Sequence, residues 1–101
     1  MRMKSPMHPG EFIRSVYIDP LELSATQLAE AMEVSPSTLN RVLNKKSAVS
    51  IELALRLSKA LGRSAESWLT MQHNYDLVQK RRSLRLSSVK TLYRAKLKRE
   101  S

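Results

Sequence analysis

The stretch from Ser24 to Asn44, SATQLAEAMEVSPSTLNRVLN, constrains this chain more than any other. It holds two short helical patterns joined by a tight break. In the first, Leu28, Ala29 and Met32 recur at i, i+1, i+4 and share one helical face. Ser24 is placed to cap that helix. Gln27, three residues later, completes a capping box. The break is Glu33-Val34. A second start signal follows, with Ser35 as N-cap and Pro36 at the first helical position, where a missing N–H costs nothing. In the second helix Leu39, Val42 and Leu43 face inward. Ser37, Thr38, Asn40, Arg41 and Asn44 face outward.

Two short helices around a three- to four-residue turn form a helix-turn-helix. The turn usually carries Gly. Glu33 stands there instead, so a residue with a Cβ must take a left-handed or relaxed turn. The second helix is too short to be stable alone and must be held by packing. Its outer residues are small or forked hydrogen-bonders with one Arg, a surface able to reach base edges in a major groove. The same pattern also fits a plain αα-hairpin in a small bundle.

At 101 residues the chain is expected to form one domain with appendages. Gly and Pro are sparse and no alternating pattern is sustained, so an all-α fold is expected. Its core is expected to be small. The absence of cysteine excludes disulfides and thiolate metal sites. No apolar run approaches the roughly 18–20 residues of a membrane span, and no hydrophobic segment follows Arg2 and Lys4, so no signal peptide, no membrane association and a cytoplasmic location are expected. The net charge is +9. Residues 80–101 carry nine basic residues and one acid, Glu100, a net +8; residues 1–79 carry nine basic and eight acidic, a net +1. That distribution points to a localised nucleic-acid face plus a separate basic tail.

Residues 1–7 read as a loose lead-in. Pro9, Gly10 and Glu11 open a first helix whose core stripe is Phe12, Ile13, Val16 and Tyr17. His8 fits a functional residue, an N-terminal cap or a solvent group. Asp19 before Pro20 predicts a helix end near Tyr17 or Ile18, with Leu21 and Leu23 tucked under the helix pair. Lys45 and Lys46, in the loop just past the second helix of the pair, are candidate phosphate contacts, with Asn44 as a neutral donor. Ser50 caps a fourth helix, apolar on more than one face, that ends at Gly62. Ser64 caps a fifth. There Trp68, Leu69, Gln72 and Tyr75 share a face that suits either the core or a dimer seam. From Gln79 onward the chain is basic and rich in Ser. Val89, Leu92, Tyr93, Ala95 and Lys96 suggest a further amphipathic helix formed on binding. The tail's basic residues suit flanking DNA phosphates, an acidic partner or plain solvation. The domain division expected is 1–7, 8–78 with the helix pair at 24–44, and 79–101.

His8 and His73 are far apart. There is no HExxH, no Gly-rich phosphate loop and no assembled catalytic constellation, so neither enzyme activity nor a cofactor or metal is expected.

Residues 8–77 resemble the HigA (VapI) family of addiction-module antitoxins, within the XRE or lambda-repressor-like helix-turn-helix class. Four segments carry the likeness: His8-Pro9-Gly10-Glu11; Leu23 to Ala29; Val34-Ser35-Pro36-Ser37; and Ala54-Leu55-Arg56-Leu57 followed by Ser64-Ala65-Glu66-x-Trp68-Leu69. Gln72 and Tyr75-Asp76-Leu77 continue the last and most specific string. Lys45 departs from the pattern, standing where the family usually has Gly. The resemblance implies a five-helix lambda-repressor-like domain; the basic C-terminal extension beyond about residue 80 lies outside the shared pattern. It implies a homodimer that binds double-stranded operator DNA and represses its own operon, and a partner toxin of the HigB type, an mRNA-cleaving ribonuclease. By position it implies base contacts for Ser37, Thr38 and Arg41, and phosphate contacts for Gln27, Ser35 and Asn44. A solitary XRE-type repressor and a protein-interaction module without DNA binding are the alternatives.

Overall fold

A computed structural model describes residues 5–94. Five helices run in order. The first, α1, covers residues 9–21 in three consecutive parts: an α segment Pro9–Ile13, a π turn Arg14–Ile18 and a short α segment Asp19–Leu21. Then come α2 Ala25–Met32, α3 Pro36–Leu43, α4 Ile51–Leu61 and α5 Ala65–Ser83. No strand is present among the described residues.

Four serines start four of these helices. The Oγ atoms of Ser24, Ser35, Ser50 and Ser64 accept from the backbone N–H three residues on, at 3.0, 3.1, 3.1 and 3.0 Å. Each cap is worth about 1 kcal/mol. At Ser24 the capping box is complete, because Gln27 Oε1 accepts from the Ser24 N–H at 2.8 Å.

The first helix does not stop before Pro20 as its sequence predicts. The π turn shifts the hydrogen-bond ladder, and the Asp19 N–H reaches the Arg14 carbonyl. The wider turn relieves the clash a proline ring makes inside a regular helix, and Pro20 then falls at the start of a new α segment. Leu21, expected under the helix pair, is instead 61% exposed, and Val16 leaves the core stripe at 42%.

Three helix ends share one device. Glu22, Glu33 and Lys45 all have positive φ, at 54°, 59° and 63°. Each sits in a Schellman turn. At Glu33 the N–H of Val34 bonds to Ala29 O at 3.0 Å and that of Glu33 to Glu30 O at 3.1 Å. The left-handed turn anticipated at Glu33 is therefore present. Gly62 takes the corresponding place after α4 with φ 91°.

The core joins Ile13 and Ile18 of α1, Leu28, Ala29 and Met32 of α2, Leu39, Val42 and Leu43 of α3, and Leu53, Ala54, Leu57 and Trp68 behind them. Fully burying one such aliphatic or aromatic side chain contributes roughly 1.5–3 kcal/mol. Trp68 sits at the centre with no exposed surface. Phe12 and Tyr17 pack against it, and the Arg63 guanidinium lies 4.9 Å from the Phe12 ring centroid. Gln72 is also buried. Its Oε1 accepts from the Val49 N–H at 2.8 Å and its amide donates to Asp76 Oδ1 at 3.0 Å. Trp68 and Gln72 therefore have no face left for a dimer seam; Leu69 and Tyr75 keep part of theirs. The spacing that grouped these residues identified a helix face correctly, but that face is turned toward the chain's own core.

Gly10 has a structural duty that its place in a first helical turn did not suggest. A Cβ there would lie 2.0 Å from the Val42 carbonyl oxygen. Only a glycine lets α1 cross the last turn of α3 so closely.

Helix α5 runs to Ser83, through the expected domain boundary at residue 78. Residues 84–94 carry no helix, only a turn closed by Val89 N–H on Leu86 O at 3.0 Å. The described part of the predicted tail helix is thus not helical, and Ala95 and Lys96 lie outside the described residues.

Candidate nucleic-acid interface

The outer face of α3 is assembled from its own cap. Ser35 Oγ accepts from the Thr38 N–H and also donates to Thr38 Oγ1 at 2.8 Å, with Ser37 Oγ 3.4 Å away. The Ser35 proton is thereby committed within the chain. The Thr38 hydroxyl keeps its own proton to offer outward, held in one rotamer by Ser35. One turn further, Arg41 Nε donates to Ser47 Oγ at 3.0 Å. That bond fixes the plane of the guanidinium and leaves both terminal nitrogens free, the fork that matches paired acceptors. Ser37, Thr38 and Arg41 are all exposed and lie at i, i+1, i+4 on one helix face.

The candidate phosphate contacts flank that face. Gln27 is exposed, and with Oε1 spent on the capping box its side-chain NH2 remains as a donor. Asn44, Lys45 and Lys46 are exposed at the other end of α3. The turn there is closed by Lys45 N–H on Val42 O at 3.0 Å and Lys46 N–H on Arg41 O at 2.7 Å. Lys45 takes the left-handed conformation, at the position where the resembled family usually has glycine. Cations at a helix C-terminus also meet the negative end of its macrodipole.

Two arginines that sequence reasoning missed support this arrangement. Arg56 of α4 donates through Nη1 to the carbonyls of Met32 at 2.9 Å and Glu33 at 3.4 Å, and pairs with Glu52 at 2.9 Å. It clasps the turn between α2 and α3, whose carbonyls are otherwise orphaned. Its i,i+4 relation to Glu52 was readable; its reach across 24 residues to Met32 was not. Arg14 of α1 donates to Asn44 Oδ1 at 3.1 Å.

His8 caps α1 and packs against α5. It is 2% exposed, its Nδ1 accepts from the Gly10 N–H at 2.9 Å, and its ring stands edge-on to Tyr75 with centroids 4.9 Å apart. It is a cap, as one of its expected roles had it, but not a solvent group. Burial holds its pKa below the ordinary 6.5, opposed by Asp76, reinforced by Lys45 and opposed again by the Ser47 backbone and Glu11.

The helix-turn-helix family profile matches residues 14–68. Antitoxin HigA-1 of Vibrio cholerae is 32% identical over 74 residues, covering 73% of this chain and 70% of that protein. The chain belongs to the HigA family of helix-turn-helix antitoxins. Virulence-associated protein I of Dichelobacter nodosus is 45% identical over 71 residues, covering 70% of this chain and 66% of that protein. Among solved structures, the Pseudomonas aeruginosa antitoxin HigA with the higBA promoter superposes with a TM-score of 0.70 at 32% identity, covering 73% of this chain and 80% of that one. The all-helical fold and the helix-turn-helix are therefore those of the family.

Proposed function

We propose that the protein is a sequence-specific double-stranded DNA-binding antitoxin without enzymatic activity. In this reading it acts in the cytoplasm, represses its own operon as a homodimer and neutralises a HigB-like mRNA-cleaving toxin. The observation that carries the DNA reading is the exposed face of α3. Thr38 and Arg41 are fixed there by Ser35 and Ser47, with their outward donors unspent. A guanidinium held in this way is suited to the O6 and N7 acceptors of guanine. The relative solved with its promoter places a similar fold on DNA. Arg41→Ala is expected to lose roughly 1–3 kcal/mol of binding to the cognate duplex. An unchanged affinity in a titration of that duplex would favour the interaction-module alternative instead.

Dimerisation follows from what one copy can read. Helix α3 has 8 residues. It is about 12 Å long and faces roughly four base pairs. A second copy on a symmetric half-site doubles that number. Trp68 and Gln72 lie inside the core, so we assign the dimer surface to other, exposed residues of α4 and α5. Ile51 and Leu55, one turn apart on α4, are 69% and 58% exposed, and Leu77 on α5 is 49% exposed. Apolar surface of this kind on adjacent helices suits a second copy. Leu55→Asp is expected to give a monomer by sedimentation while leaving the helical content intact; a dimer of wild-type strength would exclude this surface. Among the described residues, no helix is long and apolar enough to cross a membrane.

A further inference from the structure

We infer that Arg14 binds a DNA phosphate, making α1 a third element of the nucleic-acid interface beside α2 and α3. The inference rests on the DNA-binding reading above.

Geometry brings Arg14 to the interface. The missing Cβ of Gly10 lets α1 lie against the Val42 and Leu43 backbone at the end of α3. Arg14, four residues further along α1, is exposed and reaches the first residue beyond α3, placing Nη2 3.1 Å from Asn44 Oδ1. That contact spans 30 residues of sequence. It sets the guanidinium beside Asn44, Lys45 and Lys46, the residues already read as phosphate contacts.

Charge says what Arg14 is for. The acceptor it touches is a neutral amide oxygen, which takes one N–H of the five a guanidinium carries. Among the described residues the one ion pair is that of Arg56 with Glu52, so no carboxylate neutralises Arg14. One end of α3 thus gathers Arg14, Lys45, Lys46 and the free amide of Asn44 with no acid paired to them. The group lies open at the surface and adjoins the face of Ser37, Thr38 and Arg41. An open cationic edge bordering a base-reading face fits the phosphate backbone of a duplex, which runs beside any helix seated in the major groove. A structural role for Arg14, simply holding Asn44, is the competing account.

The test uses the full chain and two duplexes, its own upstream DNA and a scrambled sequence, titrated across a range of salt. Arg14→Gln keeps an N–H for Asn44 but removes the charge. It is expected to lower the slope of log Kobs against log salt by about 0.9 on both duplexes. The ratio of the two affinities and the thermal melt should stay as in the wild type. Arg14→Lys, which keeps the charge, should hold the wild-type slope. A Gln variant with an unchanged slope overturns the inference. So does one whose melt falls by several degrees, since that assigns Arg14 to the fold. If the wild type binds both duplexes equally, sequence-specific reading fails, but the slope change at Arg14 remains measurable on either duplex and is judged separately.

Discussion

The two ends of the recognition helix α3 are built in opposite ways. At its N-terminal end Ser35, Ser37 and Thr38 form an uncharged lattice of hydroxyls, closed by the cap and held in fixed rotamers. At its C-terminal end, Asn44, Lys45 and Lys46 surround a left-handed turn, with Arg14 arriving from α1. The first end offers geometry with little charge and the second offers charge with less fixed geometry. Base edges demand the former and phosphates reward the latter. Arg41 lies between them, and its single internal bond to Ser47 gives it some of each character.

The comparison is broken most severely at the contact that brings the charged end together. Gly10→Ala puts a Cβ 2.0 Å from the Val42 carbonyl oxygen. It is expected to cost about 1–3 kcal/mol of stability, read in a denaturant melt, as α1 is pushed off α3. A variant of wild-type stability would show that the α1–α3 crossing is looser than described.

A smaller change sharpens the comparison. Lys45→Gly relieves a left-handed residue at φ 63°. The variant is expected to be more stable by roughly 0.5–1 kcal/mol in the same melt. Its salt slope on DNA should nevertheless fall by about 0.9, because a phosphate contact goes with the side chain. Stability and binding should move in opposite directions; if both rise, Lys45 is not at the backbone.

The smallest expected effect is a dependence on pH. The folded-state pKa of His8 lies below its ordinary 6.5. The unfolded chain therefore binds the proton more readily. The stability tied to neutral His8 is full above 6.5 and is lost as pH falls from there toward the folded-state value. Thermal melts of the wild type should decline across that window. His8→Asn, which can still cap Gly10, should decline less. Equal declines would move the origin of the pH dependence elsewhere.

What was legible in the sequence was mostly local. The four serine caps, the inward stripe of α2 and α3 and the left-handed turn at Glu33 each follow from residues within one or two turns of each other. What stayed hidden depends on distant partners. Periodicity grouped Trp68 with Gln72 but could not say that their face looks toward Val49 and Phe12 of the same chain. The fourth helix likewise reads as apolar on more than one face, but one of those faces, with Ile51 and Leu55, is exposed. The Asp19-Pro20 pair argued for a helix end, and a π turn overrode that local bias. Of the site, Ser37, Thr38, Arg41, Asn44, Lys45 and Lys46 were readable as an exposed face and its flank. The clasp of Arg56 on Met32 and the reach of Arg14 to Asn44 were not, because each joins residues at least 24 apart.

The most direct test of the central claim is binding of the purified protein to its own upstream DNA and to a scrambled duplex at two salt concentrations. A preference for the upstream DNA of roughly a thousandfold or more, persisting at the higher salt, is the predicted result. Equal and salt-sensitive binding to both duplexes would contradict it, since charge alone would then account for the affinity and α3 would read no sequence.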